Sequence, residues 1–134
     1  MQEQQKLHLN QLGIYRKSME VFHLSRRIVD YITDDKDVLS LHKSNKDVDI
    51  YADRLVMNSL SLVPKIVETE NEKNASLKLK FAKSIRYSID KLQQDCKDLE
   101  QAKIHGKEFI GILKKELKKL QAIHCNYINS LTQL

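Results

Sequence analysis

Residues 50–68, IYADRLVMNSLSLVPKIVE, constrain this chain more than any other stretch, because apolar side chains occupy almost every face of the helix they spell. A helix with one wet side keeps a polar stripe. Here Leu55, Val56, Met57, Leu60, Leu62, Val63, Ile66 and Val67 interrupt every candidate stripe, so burial on most sides is expected. A single core in a chain of 134 residues covers only part of such a helix, and the remaining apolar surface must meet another part of the chain or another subunit. Self-association is therefore the first functional expectation, with Val56, Leu60, Val63 and Val67 as the oligomer interface. Pro64 removes a backbone donor within this helix and predicts a kink near residues 60–64.

The flanking sequence is helical by pattern. Three Gly and one Pro leave little turn chemistry for strands, and the length suits one domain over residues 1–134. Residues 1–12 mix Gln, Glu and Lys with isolated leucines before Gly13, and are expected to be frayed or weakly helical. From residue 14 to residue 32 apolar positions recur at spacings of three and four, giving a first helix. Residues 33–49, TDDKDVLSLHKSNKDVD, form a long polar loop in which Val38, Leu39 and Leu41 tether one short turn. Asp47 or Asp49 is expected to cap the second helix, which runs to about residue 68.

Residues 69–76 have loop composition, with Asn74 or Ser76 as the next cap. The third helix, over about 77–104, carries Phe81, Ile85, Ser88, Leu92, Cys96, Leu99 and Ala102 on one stripe, and small Ser84 and Ser88 let a neighbour approach. His105-Gly106 is a stop signal, since Gly tolerates the left-handed conformation that closes a helix. A fourth helix follows from Lys107, with Ile110, Leu113, Leu117, Leu120, His124, Tyr127 and Leu131 as a narrow seam. Four helices with short second and third connections predict an all-α fold, an antiparallel up-down-up-down four-helix bundle.

Residues 61–68, SLVPKIVE, resemble the SIPANIAEG signature of the four-helix-bundle proteins encoded in intervening sequences of bacterial ribosomal RNA genes. YRKSMEVFHLSRRI is similar to that family's opening helix, FAKSIRYSIDKL to its third-helix motif, and Ala102 to Gly106 to its turn into the last helix. The resemblance runs over residues 15–131. It departs from the family pattern at Pro64, displaced by one residue, and at Lys65, Thr69 and Tyr87, which replace an Asn and two glycines. It implies a homopentameric ring of bundles associated with nucleic acid. A related group, the accessory proteins of diversity-generating retroelements, implies a basic bundle that binds a reverse transcriptase and its RNA.

Enzymatic chemistry has no support in the sequence. Glu20-x-x-His23 has di-iron-like spacing, but no second copy exists and the inner stripes offer no matching buried carboxylates, so no metal or other cofactor is expected. His23 reads as a surface or boundary residue. His124 and Cys125 are adjacent on a helix and point about 100° apart, so they cannot share a proton. His124 reads as a core or subunit-boundary histidine, Cys96 and Cys125 as reduced buried thiols, and Ser61, Ser84 and Ser88 as packing residues. No Gly-rich phosphate loop or nucleophile elbow appears.

The remaining signal is basic. With a net charge of +5, the chain concentrates Lys114, Lys115, Lys118 and Lys119 on the fourth helix and Lys78, Lys80, Lys83 and Arg86 on the third. These eight are the candidate nucleic-acid-binding residues, attaching RNA or DNA phosphates without base readout. The competing reading is a protein-interaction scaffold, reverse-transcriptase-accessory-like, whose lysines only solubilise it. No apolar run approaches the roughly 20 residues of a membrane span and no secretion signal is visible, so a cytoplasmic location with no membrane partner is expected.

Overall fold

A computed structural model describes residues 8–132, apart from the side chain of Val38, and every element in it is helical. In chain order these are α1 Gly13–Ile32, α2 Val38–Lys43, α3 Asp47–Asn71, α4 Ala75–Gln101 and α5 Lys107–Thr132, preceded by a helical turn at residues 8–11. The first seven residues of the segment expected to fray lie outside the described residues. Its remainder is docked rather than frayed, because Leu9 is buried and His8 reaches Glu70 at 2.7 Å.

Each long helix packs on two others: α1 on α3 and α5, and α4 on α3 and α5, while short α2 lies on α3. Cross-helix contacts fix the directions pairwise. Asn58 meets Asp95 and Lys65 meets Ser88; Glu100 meets Lys114 and Ala82 meets His124. Across the α3–α4 and α4–α5 pairs, residue numbers thus fall along one helix as they rise along the other. The core runs between the helices as Ile14, Val21, Ile28, Leu55, Leu62, Ile66, Ile85, Leu92, Leu99, Ile110, Leu113 and Leu117, which are all but fully buried. At about 25 cal/mol for each Å² of apolar surface removed from water, these stripes dominate the folding energy.

Local chemistry sets the ends. Asn74 accepts from the Leu77 amide at 3.0 Å and caps α4, and Asp37 accepts from the Ser40 amide at 2.7 Å to start α2. Neither Asp47 nor Asp49 caps α3; its N-cap is Lys46, which offers no side-chain acceptor. Asp49 instead turns inward, because Lys36 at 2.5 Å and Ser44 at 2.7 Å give its carboxylate partners there. The loop expected at residues 69–76 shrinks to 72–74, since Thr69 is buried and its hydroxyl donates back to the Lys65 carbonyl at 2.7 Å. The α4 helix ends at Gln101, before His105-Gly106. Gly106 takes φ +80° just ahead of α5, where a Cβ would lie 2.8 Å from the Tyr31 ring.

The α3 helix continues through Pro64. The carbonyl left without its usual donor belongs to Leu60, whose side chain is 45% exposed, so water can satisfy it. Burial of α3 is one-sided after all. Ala52, Leu55, Val56, Ser59, Leu62, Ile66 and Thr69 face the core, while Met57, Leu60 and Pro64 stand exposed and Val63 and Val67 half-buried. Among the described residues no helix is long and apolar enough to cross a membrane.

Candidate nucleic-acid interface

The eight basic residues singled out from the sequence divide into two classes. Four are committed to carboxylates. Lys78 lies 3.4 Å from Glu70, Arg86 lies 3.0 Å from Asp90, Lys114 lies 2.8 Å from Glu100 and Lys119 lies 3.3 Å from Glu116. The Glu100 contact raises the Lys114 pKa. Lys80, Lys83, Lys115 and Lys118 are exposed and make no salt bridge among the described residues. An exposed, unpaired ammonium keeps its full field for a phosphate, whereas a paired one must first give up its carboxylate.

Lys78 is structural. It belongs to a polar node at one end of the molecule, where Glu70, with a side chain only 7% exposed, accepts from Tyr127, from His8 and from Lys78. Burial pushes the Glu70 carboxyl up, but the hydrogen bonds from Tyr127 and His8 and the Lys78 charge outweigh it and leave the pKa lowered. Burial and the same carboxylate raise the Tyr127 phenol. Sequence pattern missed this node because the residues in contact with Glu70 lie as many as 62 positions away along the chain. Only the odd placement of a tyrosine on the apolar α5 seam hinted at a polar partner.

The two clusters lie on neighbouring helices but at different levels: Ala82 is level with His124 and Glu100 with Lys114, so Lys80 and Lys83 stand nearer the C-terminal end of α5 than Lys115 and Lys118 do. Lys114 sits across from Glu100, and the Arg86 guanidinium lies against the Gln121 amide, one turn beyond Lys118. The outer face of α4 adds residues that the sequence reading left out: exposed Lys91 and Tyr87, the latter 76% exposed.

The expected oligomer-interface residues separate as well. Val56 is 3% exposed and belongs to the intramolecular core, so it is not available to a second subunit. Leu60, Val63 and Val67 remain on the outer side, where Val63, Pro64, Val67, Glu68, Asn71 and Glu72 outline a shallow depression.

Comparison with family models, curated proteins and solved structures found no match.

The remaining candidates settle into ordinary roles. His23 is exposed. His124 is buried and its Nε2 donates to the Ala82 carbonyl at 2.8 Å, tying α5 to α4. Cys96 is buried, and burial pushes its thiol up to about 12, which leaves it protonated and unreactive at neutral pH. Cys125 is exposed rather than buried, because it falls outside the seam. Ser88 is a buried packing residue that accepts from Lys65 at 2.8 Å. Ser61 and Ser84 are exposed instead, their hydroxyls bonded to the Asn58 and Phe81 carbonyls; Ser18, Ser25 and Ser59 are buried along with Ser88.

Buried carboxylates do occur on the inner stripes, at Asp49 and Asp95. Each has its own partners, and among the described residues no group of His, Cys, Asp and Glu could hold a metal ion.

Proposed function

We propose that this chain is a non-enzymatic, self-associating four-helix bundle, running up-down-up-down, that attaches nucleic-acid phosphates through the basic side formed by α4 and α5. The observation that carries the reading is the set of exposed ammonium groups at Lys80, Lys83, Lys115 and Lys118, which make no salt bridge among the described residues, while Asp90, Glu100 and Glu116 pair with other cations. Attachment is electrostatic, releases counterions and involves no base readout. The ring of helix contacts and the opposed residue numbering across the α3–α4 and α4–α5 pairs support the bundle topology. The resemblance to proteins of ribosomal RNA intervening sequences is consistent with it and suggests a homopentamer, in which weak phosphate contacts repeat and add. A cytoplasmic location suits such a protein.

A second reading has its own observation. Met57, 43% exposed, and Leu60, 45% exposed, continue through Pro64 and Val67 as an apolar stripe on α3. Used for a foreign protein rather than for another copy of the chain, that stripe would make the molecule an interaction scaffold, with a reverse transcriptase as one candidate partner and the lysines serving solubility alone.

Changing Lys80, Lys83, Lys115 and Lys118 together to Glu tests the choice. The first reading requires loss of RNA and DNA binding in the folded variant. Wild-type protein that fails to bind either at low salt contradicts it.

A further inference from the structure

We infer that the outer face of α4 is a single-stranded nucleic-acid platform, in which an unpaired base stacks on Tyr87 while Lys80, Lys83 and Lys91 hold the flanking phosphates. This rests on the phosphate-binding reading above and adds a residue class to it, an aromatic contact to the base itself. Lys80, Lys83, Tyr87, Lys91 and Gln94 follow one another at intervals of three and four, so they share one stripe of the helix. All five are exposed. Among the described residues Tyr87 is the most exposed of the large apolar and aromatic side chains, at 76%, and no ring or cation contact holds it.

A bare tyrosine in water costs apolar hydration that a buried position would recover. Among the described residues nothing covers it, and lysines stand one turn away on either side. No acid of α4 forms a salt bridge with them among the described residues: Asp90 pairs with Arg86 at 3.0 Å and Glu100 with Lys114 at 2.8 Å, Asp98 accepts from Gln94 at 3.0 Å, and Asp95, buried against Asn58 at 2.6 Å, feels the Lys91 charge only at longer range. The stripe is thus a π-face set among cations that no salt bridge holds, the combination that binds single strands without sequence preference. A duplex keeps its bases stacked inside and can use only the lysines. A protein partner would need both acids and an apolar group in matching places, whereas a single strand supplies anion and π-face in every nucleotide.

The test compares wild-type protein with Tyr87→Ala and Tyr87→Phe on three probes at low salt: an unstructured RNA 12-mer, an RNA duplex of equal length and inorganic polyphosphate. Tyr87 touches nothing that folding needs, so each variant is expected to keep the wild-type helical content and melting temperature. Tyr87→Ala is expected to weaken single-stranded RNA binding roughly five- to a hundred-fold, with duplex and polyphosphate affinities unchanged and Tyr87→Phe close to wild type. Equal affinities of wild type and Tyr87→Ala for the single strand, with polyphosphate still bound, overturn the stacking platform alone. Wild-type protein that binds none of the three probes overturns both the platform and the electrostatic reading beneath it.

Discussion

The Asn58 side-chain amide donates to the Asp95 carboxylate at 2.6 Å across the α3–α4 seam, and Asp95 is 5% exposed there. Burial pushes the Asp95 carboxyl up to about 6, against the opposing pull of the Asn58 hydrogen bond and with help from the nearby Asp98 charge. One neutral donor does not compensate a buried carboxylate, so the ionised form is costly in the folded chain.

Because the folded-state value lies above the ordinary 3.8, the folded chain holds this proton more tightly than the unfolded chain. The stability it contributes is whole below pH 3.8 and is lost as the pH rises through about 6. Asp95→Asn keeps an oxygen to accept from Asn58 and removes the charge. The variant is expected to be more stable than wild type at pH 7.5, on the order of 2 kcal/mol, with the difference vanishing near pH 4. Urea unfolding of both proteins at pH 4, 6 and 7.5 measures it.

Glu70 has the opposite sign. Its lowered pKa means that its contribution is present above the ordinary carboxylate range and lost as the pH falls through the folded-state value. Removing the acceptor leaves Tyr127 and Lys78 without their partner, so Glu70→Leu is expected to destabilise by about 2–3 kcal/mol and Tyr127→Phe by about 1 kcal/mol. A double-mutant cycle in urea should give a coupling energy of about 1 kcal/mol between the two. Additive losses would deny that the hydrogen bond ties the end of α3 to α5.

How far the sequence could be read depended on how local each interaction is. The seam on α5 and the stripe on α4 were legible because helical periodicity alone places Ile110, Leu113, Leu117 and Leu120, or Ile85, Leu92 and Leu99, on one side. The Asn74 cap was legible because its partner, the Leu77 amide, lies three residues away. Asp49, Glu70 and Asp95 were not, since their partners Lys36, Tyr127 and Asn58 come from other elements. The apolar surplus of α3 was visible in the sequence, but which side stays wet depended on where α1 and α4 lie. In the basic clusters, composition could not separate Lys78, held by Glu70, from Lys80, which makes no salt bridge.

Gly106 links two helices through one steric requirement. At φ +80°, with Tyr31 and Phe109 closing over it, the position admits no side chain without strain. Gly106→Ala is expected to lower stability by about 2 kcal/mol or more, from the left-handed backbone and the contact with the ring together. Adding Tyr31→Ala should recover only the contact part, and thermal melts of the single and double variants would separate the two.

The exposed stripe on α3 predicts a change in mass. Met57→Lys with Leu60→Lys places charge on the outer side without touching Val56 or the core. The double variant is expected to fold with wild-type helical content and to lose self-association, read by sedimentation equilibrium. Wild-type association that survives both changes would move the subunit contact to another surface.

Native mass by light scattering, run at low salt with and without a short single-stranded RNA, tests the central claim most directly. A self-associating phosphate-binding bundle predicts a multiple of the 15.7 kDa chain that gains mass when RNA is added and releases it at high salt. A monomer whose mass ignores RNA would contradict both the role given to α3 and the role given to the lysines of α4 and α5.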